Sequence, residues 1–217
     1  ARKLKRGSAN LLAGRAFINH FFPLTHIEMG NAFSLLDALT WGTLPGVTKF
    51  GNDVDRKDFL KAYGLTYLKE EIWAEHIIRE LDPFRRFLPV AAQANGTILN
   101  YSKIARDVGV DYKTVQSYFA ILEDTLLGFF LESYHPSIRK QQRQAPKFYF
   151  FDTGVQRALE NTLDVPLKTG TYYFGNVFEH WLMAEIYRLN HYFKTEYRFS
   201  YLLTKDRAEI DLIVERP

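Results

Sequence analysis

The chain has 217 residues, of which 47% are hydrophobic and 24% charged, with a formal net charge of +3 and no cysteine. That length allows one large domain or two to three small ones, with enough apolar side chains for a real core. Disulfides and thiolate metal sites are excluded. No apolar run approaches the roughly 20 residues of a membrane-spanning helix, and the opening ARKLKRG lacks the apolar centre of a signal peptide. A cytoplasmic location is the default expectation, with no membrane partner.

Residues 1–30 begin with a basic cluster, Arg2, Lys3, Lys5 and Arg6. Ser8 or Asn10 can cap a short helix that Pro23 ends, and the segment reads as the edge of something larger. Between 31 and 82, Phe33, Leu35, Leu36 and Leu39 predict a short helix. A loop rich in Gly and Pro follows, and 58–63 predicts a second short helix. Thr66 can cap a long helix bearing Leu68, Ile72, Trp73, His76, Ile77 and Leu81 on one side.

Residues 83–145 carry the clearest supersecondary signal. Asp82-Pro83 starts a helix with the apolar stripe Phe84, Phe87, Leu88 and Ala91, and Pro89 predicts a kink or break in it. A second helix covers 102–107, with Ile104 and Val108 inward. Gly109 makes a tight turn, and Asp111 opens a third helix showing Val115, Phe119, Leu122 and Leu126. Strand-like runs at 129–134 and 147–151 flank a polar loop. Helix, tight turn, helix and hairpin form the winged-helix pattern. Lys113 and Gln116 face outward with Tyr112 and Ser117. Gln can read adenine, and Lys or Ser can hold phosphate. The loop RKQQRQAPK places Arg139, Lys140, Arg143 and Lys147 on an expected basic wing tip with no acid, suited to a phosphate backbone or a minor groove. A solvated hairpin on a protein-contact module is the competing reading, and DNA is the favoured partner.

Residues 146–217 read as α/β. KFYFF is apolar without alternation, as in a strand buried on both faces. Asp152 or Thr153 can cap a helix running to about Glu160, a long helix spans 172–190, and strands follow at 197–203 and 208–215. The fold class is therefore α+β: a helical segment, a winged helix-turn-helix, then an α/β unit. The expected division is 1–82, 83–145 and 146–217.

Two carboxylates in the last segment invite attention. On the long helix, Val177, Phe178, Trp181, Leu182 and Ile186 form the expected apolar face, and Glu179 sits at its margin. In AEIDLIVE, strict alternation puts Glu209, Asp211, Ile213 and Glu215 on one side, so Asp211 lies between apolar neighbours, partly buried. A helix carboxylate and a strand carboxylate that converge suit Mg²⁺. The alternatives are a solvated Glu179 and an Asp211 paired with Arg198 or Arg207, and residue types alone favour them.

The stretches ARKLKRGSANLLAGRA, FPLTHIE, TYLKEEIWAEHIIRELDPFRRFL, GTILNYSKIARDVGVDYKTVQSYFAILEDTLLGFFL, KFYFFDTGV, GNVFEHWLMAEI and EIDLIVE together resemble the C-terminal half of predicted prokaryotic AAA-type ATPases, a domain of unknown function. The resemblance covers essentially the whole chain. It implies an upstream ATPase core as a partner, with ATP and Mg²⁺ as cofactors of the full-length parent and none required by this fragment. It also implies assembly through that core. The chain has no GxxxxGK[ST] sequence and so no phosphate cradle of its own. Arg15 falls where the family has an arginine that can reach a nucleotide phosphate; capping carbonyls or pairing with an acid is the alternative. The last segment resembles the PD-(D/E)xK nuclease fold, with Glu179 and Asp211 at its first two acidic positions, which makes them the candidate catalytic and metal residues. The third position, with the lysine that helps activate water, is expected beyond Pro217. The expected function is a DNA-binding or regulatory module of an AAA-type ATPase, inactive alone. A truncated Mg²⁺-dependent nuclease and a protein-interaction module are the alternatives.

Overall fold

Polar side chains start most of the helices. In the computed structural model, which describes residues 20–64, 81–137, 144–204, 206 and 208–217, Thr25 and Glu28 form a capping box at α1 (His26–Met29). Ser34 caps α2 (Leu35–Trp41) and Asn52 caps α3 (Asp53–Ala62). Asn100 caps α5 (Tyr101–Val108), Asp111 α6 (Tyr112–Asp124), Asp152 α7 (Thr153–Glu160) and Thr171 α8 (Tyr172–Tyr192). Each cap oxygen accepts from a first-turn N–H that the helix leaves without a partner. The helix expected at 58–63 begins earlier because Asn52 supplies the cap. The helix capped by Thr66 lies outside the described residues.

Of the kink or break expected at Pro89, the break does not occur: helix α4 (Leu81–Gln93) continues through it. Its buried stripe of Phe84, Phe87, Leu88, Ala91 and Ala92 holds it against the core on both sides of the proline. Between α5 and α6, Gly109 is left-handed (φ 77°, ψ 41°), a conformation that suits glycine and lets α5 end sharply.

Four strands follow: β1 (Gly128–Ser133), β2 (Lys147–Phe150), β3 (Arg198–Leu203) and β4 (Glu209–Glu215). They form one mixed sheet in the order β2-β1-β3-β4. β1 pairs antiparallel with β2 and parallel with β3, through Glu132↔Ser200 and Ser133↔Tyr201. The hairpin expected as a wing is thus built into a larger sheet. Its apolar residues account for this. Phe129 and Leu131 pack with Tyr149, Met183 and Tyr201 on one side, while Phe148 and Phe150 join the main core on the other.

That main core runs from Trp41 and Leu60 through Phe84, Phe119 and Phe148 to Leu163. It draws on residues from each of the segments 1–82, 83–145 and 146–217. No helix among the described residues is long and apolar enough to cross a membrane.

Buried polar groups stitch the N-terminal segment to α8. Glu185 Oε1 accepts from the His26 backbone N–H at 2.7 Å and meets His26 Nδ1 at 2.6 Å. Arg188 donates to Phe151 O (2.6 Å), Thr43 Oγ1 (3.1 Å) and Glu185 Oε2 (3.4 Å). Burial pulls the Arg188 guanidinium down from its ordinary value, against the charges of Asp152 and Glu185. Burial likewise pushes the Asp152 carboxyl up, opposed by Arg188 and by hydrogen bonds from Thr43 and Val155. Such charges are tolerable inside only because they are paired and hydrogen-bonded. They also explain why the apolar face expected on α8 is only partly its buried one. Val177, His180, Met183, Ala184, Glu185 and Arg188 are buried, whereas Phe178 and Leu182 are 37% and 39% exposed.

Candidate functional site

A lysine and three carboxylates meet where β2, β4 and α8 converge. Lys147 is the first residue of β2. Its backbone is fixed by pairing with Leu131 and by a bridge to Ile98. Its side chain is buried, with the ammonium 5.6 Å from the centre of the Tyr201 ring. The Nζ lies 3.6 Å from Glu179 Oε1 on α8 and 3.5 Å from Asp211 Oδ1 on β4, and it contacts Glu209 Oε1 on β4. Tyr149, two residues along the same strand, donates its hydroxyl to Glu179 Oε1 at 2.6 Å. The carboxylates form the rim, with Glu179, Glu209 and Asp211 side chains 32%, 36% and 59% exposed.

A β-bulge places the two β4 acids. Ser200 pairs with Ile213 and Leu202 with Ile210, so Tyr201 alone opposes Asp211 and Leu212 together. A bulge of this kind breaks strict alternation and re-aims a side chain. Leu212 packs against the Met183–Tyr201 cluster while Asp211 reaches the ammonium beside the same Tyr201 ring.

The electrostatics follow from the geometry. Burial works against the charge on Lys147. The hydrogen bond with Glu209 and the charges of Glu179, Glu209 and Asp211 outweigh it, so the ammonium is held above its ordinary value. Burial, and then the charge and hydrogen bond of Glu179, push the Tyr149 hydroxyl far up. At neutral pH Lys147 is a cation and Tyr149 a neutral donor. Behind them, burial takes His180 down to about 4, and its Nε2 lies 2.7 Å from Phe150 O.

Glu179 and Asp211 are brought to one cluster, with Asp211 mostly exposed rather than held between apolar neighbours. Among the described residues the cation beside Asp211 is Lys147 rather than Arg198, and Arg207 lies outside them. Lys147 itself is not on a basic tip; it lies inside, against acids. Lys113 and Gln116 are exposed on α6, together with Tyr112 and Ser117. Arg15, Arg139, Lys140 and Arg143 lie outside the described residues. Sequence reasoning missed Glu209, although it shares a face with Asp211 in the alternation, and it missed Tyr149, whose hydroxyl lies in an otherwise apolar run.

The chain belongs to the family described as a domain of unknown function, DUF8612, whose match covers residues 33–165. That span holds Lys147 and Tyr149 but not the three acids. The chain is similar to "Uncharacterized protein Rv2008c" of Mycobacterium tuberculosis and "Uncharacterized protein Mb2031c" of Mycobacterium bovis. With each it shares 27% identity over 209 residues, 94% of this chain and 45% of the relative. The chain therefore spans less than half the length of these curated relatives. No solved structure gives a significant match.

Proposed function

We propose that this chain is a DNA-engaging, regulatory portion of a larger AAA-type ATPase, with the ATP chemistry and its Mg²⁺ supplied by another part of the parent. The observation that carries the reading is the corner at Gly109. It sets α6 against α5 so that Val115, Tyr118, Phe119 and Leu122 are buried while Tyr112, Lys113, Gln116 and Ser117 stay exposed. A helix anchored by its apolar side and bearing Lys, Gln, Ser and Tyr on the other has the donors that phosphate and base edges accept. The winged-helix reading rests on this corner and on the β1–β2 hairpin after it. Of the expected basic wing residues, Lys147 is taken up by the acidic cluster, so among the described residues α6 carries the contact surface.

A larger parent is supported by the length of the relatives and by an apolar surface. Phe33 stacks on Trp181 at 5.7 Å, and Phe178 lies 6.1 Å from Trp181. Ile27 on α1, Leu35 and Leu36 on α2, and Phe178 and Leu182 on α8 are 37–57% exposed. The occupant this reading assigns to that surface is the rest of the same polypeptide.

Fluorescence anisotropy with a labelled duplex tests the proposal. Binding at low salt should weaken steeply as salt rises. Lys113→Ala should lower affinity across sequences and reduce the salt slope by about one, and Gln116→Ala should cost about tenfold on a preferred site. No binding at low salt, or binding indifferent to the double substitution, removes the reading and favours a protein-contact role.

A further inference from the structure

The nuclease resemblance implies a Mg²⁺ between Glu179 and Asp211, and the arrangement of these residues does not fit one. The position facing both carboxylates is held by the Lys147 ammonium, 3.6 Å and 3.5 Å away, which also contacts Glu209. A divalent ion placed there would meet a buried cation of like sign at van der Waals distance.

We infer that Lys147 is a built-in counter-cation, a tethered ammonium that stands where a nuclease of this architecture would hold its metal. The lysine is fixed from several directions. Its backbone sits in β2 between Leu131 and Ile98. Its stem is buried, and its head lies over Tyr201. The Tyr149 hydroxyl holds Glu179 Oε1 in place beside it. An ammonium presents three donors, and three carboxylates surround this one. It joins β2, β4 and α8 as a structural metal would, without needing an ion from solution. Three carboxylates against one ammonium leave two negative charges in excess at a half-exposed rim. Removing the ammonium by Lys147→Met, which keeps an unbranched stem, turns the cluster into three facing carboxylates. That is a hard-oxygen site for a divalent ion.

Mn²⁺ is the probe, followed by titration calorimetry and by the loss of its free-ion paramagnetic resonance signal. The wild-type chain should show no saturable site at millimolar Mn²⁺. Lys147→Met should gain one site at least about tenfold tighter than any wild-type binding, and adding Glu209→Gln and Asp211→Asn should abolish it. In the wild-type chain, the Lys147 ammonium should give a slowly exchanging signal in ¹⁵N-lysine magnetic resonance that Mg²⁺ leaves unmoved. That second measurement does not depend on any variant folding. Saturable wild-type binding that Glu179→Gln or Asp211→Asn removes, a Lys147 signal displaced by Mg²⁺, or a folded Lys147→Met chain that gains no site would each overturn the inference. None of these readouts involves DNA, so the outcome is independent of the α6 proposal.

Discussion

Asp152 accepts a hydrogen bond from the backbone N–H of Thr43, 109 residues away in sequence, at 2.8 Å. Its other oxygen caps α7 through Val155 N at 3.0 Å. One buried carboxylate therefore starts a helix, holds the N-terminal segment and faces Arg188. Asp152→Ala leaves that N–H without an acceptor and strips a charge partner from a buried guanidinium. The expected loss is about 3–5 kcal/mol, the range for breaking a buried charge pair from one side. Urea unfolding monitored by circular dichroism checks it, and a loss below about 1 kcal/mol would contradict it.

Arg157 is fully buried and donates to the carbonyls of Thr40 (2.7 Å), Thr162 (2.8 Å) and Val165 (2.6 Å), and to the Tyr173 hydroxyl (3.2 Å). Its flat fork reaches three chain segments at once. Lysine offers only a compact head, so Arg157→Lys is not conservative here. Each carbonyl left dry costs about 1–3 kcal/mol. Both Arg157→Lys and Arg157→Ala should lower the thermal midpoint by many degrees, and a lysine variant as stable as wild type would refute the account.

His180 predicts a pH dependence. Its folded value is about 4 against an ordinary 6.5. Between those values the unfolded chain binds a proton that the folded chain refuses. Its contribution is complete above pH 6.5 and is lost as the pH falls toward 4, up to about 3 kcal/mol. His180→Phe cannot titrate. It should be less stable at pH 7 because Phe150 O loses a partner, yet it should show a flatter stability profile between pH 6.5 and 4. Equal slopes in the two proteins would rule the histidine out.

Two glycines should respond differently to alanine. At Gly154 a Cβ would sit 2.0 Å from the backbone oxygen of Trp41, which has no flexible end to yield. At Gly109 the space is open and only the left-handed φ of 77° resists. Gly109→Ala should cost about 1–2 kcal/mol. Gly154→Ala should cost more, about 3 kcal/mol, because α7 must move away from α2. Calorimetric scans that rank the two in the opposite order would show that the α2–α7 contact is softer than its geometry implies.

Local chemistry made much of the fold legible. Asp111 and Asp152 cap the helices they were expected to start, Gly109 turns between two helices, and the KFYF strand is buried on both faces. The illegible parts involve distant partners. Lys147 reads as one more charge of a basic loop, because the acids that bury it arrive 32 to 64 positions later, at Glu179 and Asp211. The buried face of α8 is hidden from hydrophobic periodicity because Glu185 and Arg188 satisfy each other inside. The Asp211–Leu212 bulge leaves no mark in an alternating strand.

The ties between residues 22–43 and 152–192 have a consequence for biosynthesis. The Phe22 N–H finds the Tyr192 hydroxyl 170 positions later, and His26 finds Glu185 159 positions later. A ribosome adding about 5–20 residues per second leaves the first segment waiting on the order of ten to thirty seconds for these counterparts. Its apolar residues spend that interval uncovered, so nascent-chain chaperones should hold this stretch until α8 clears the exit tunnel.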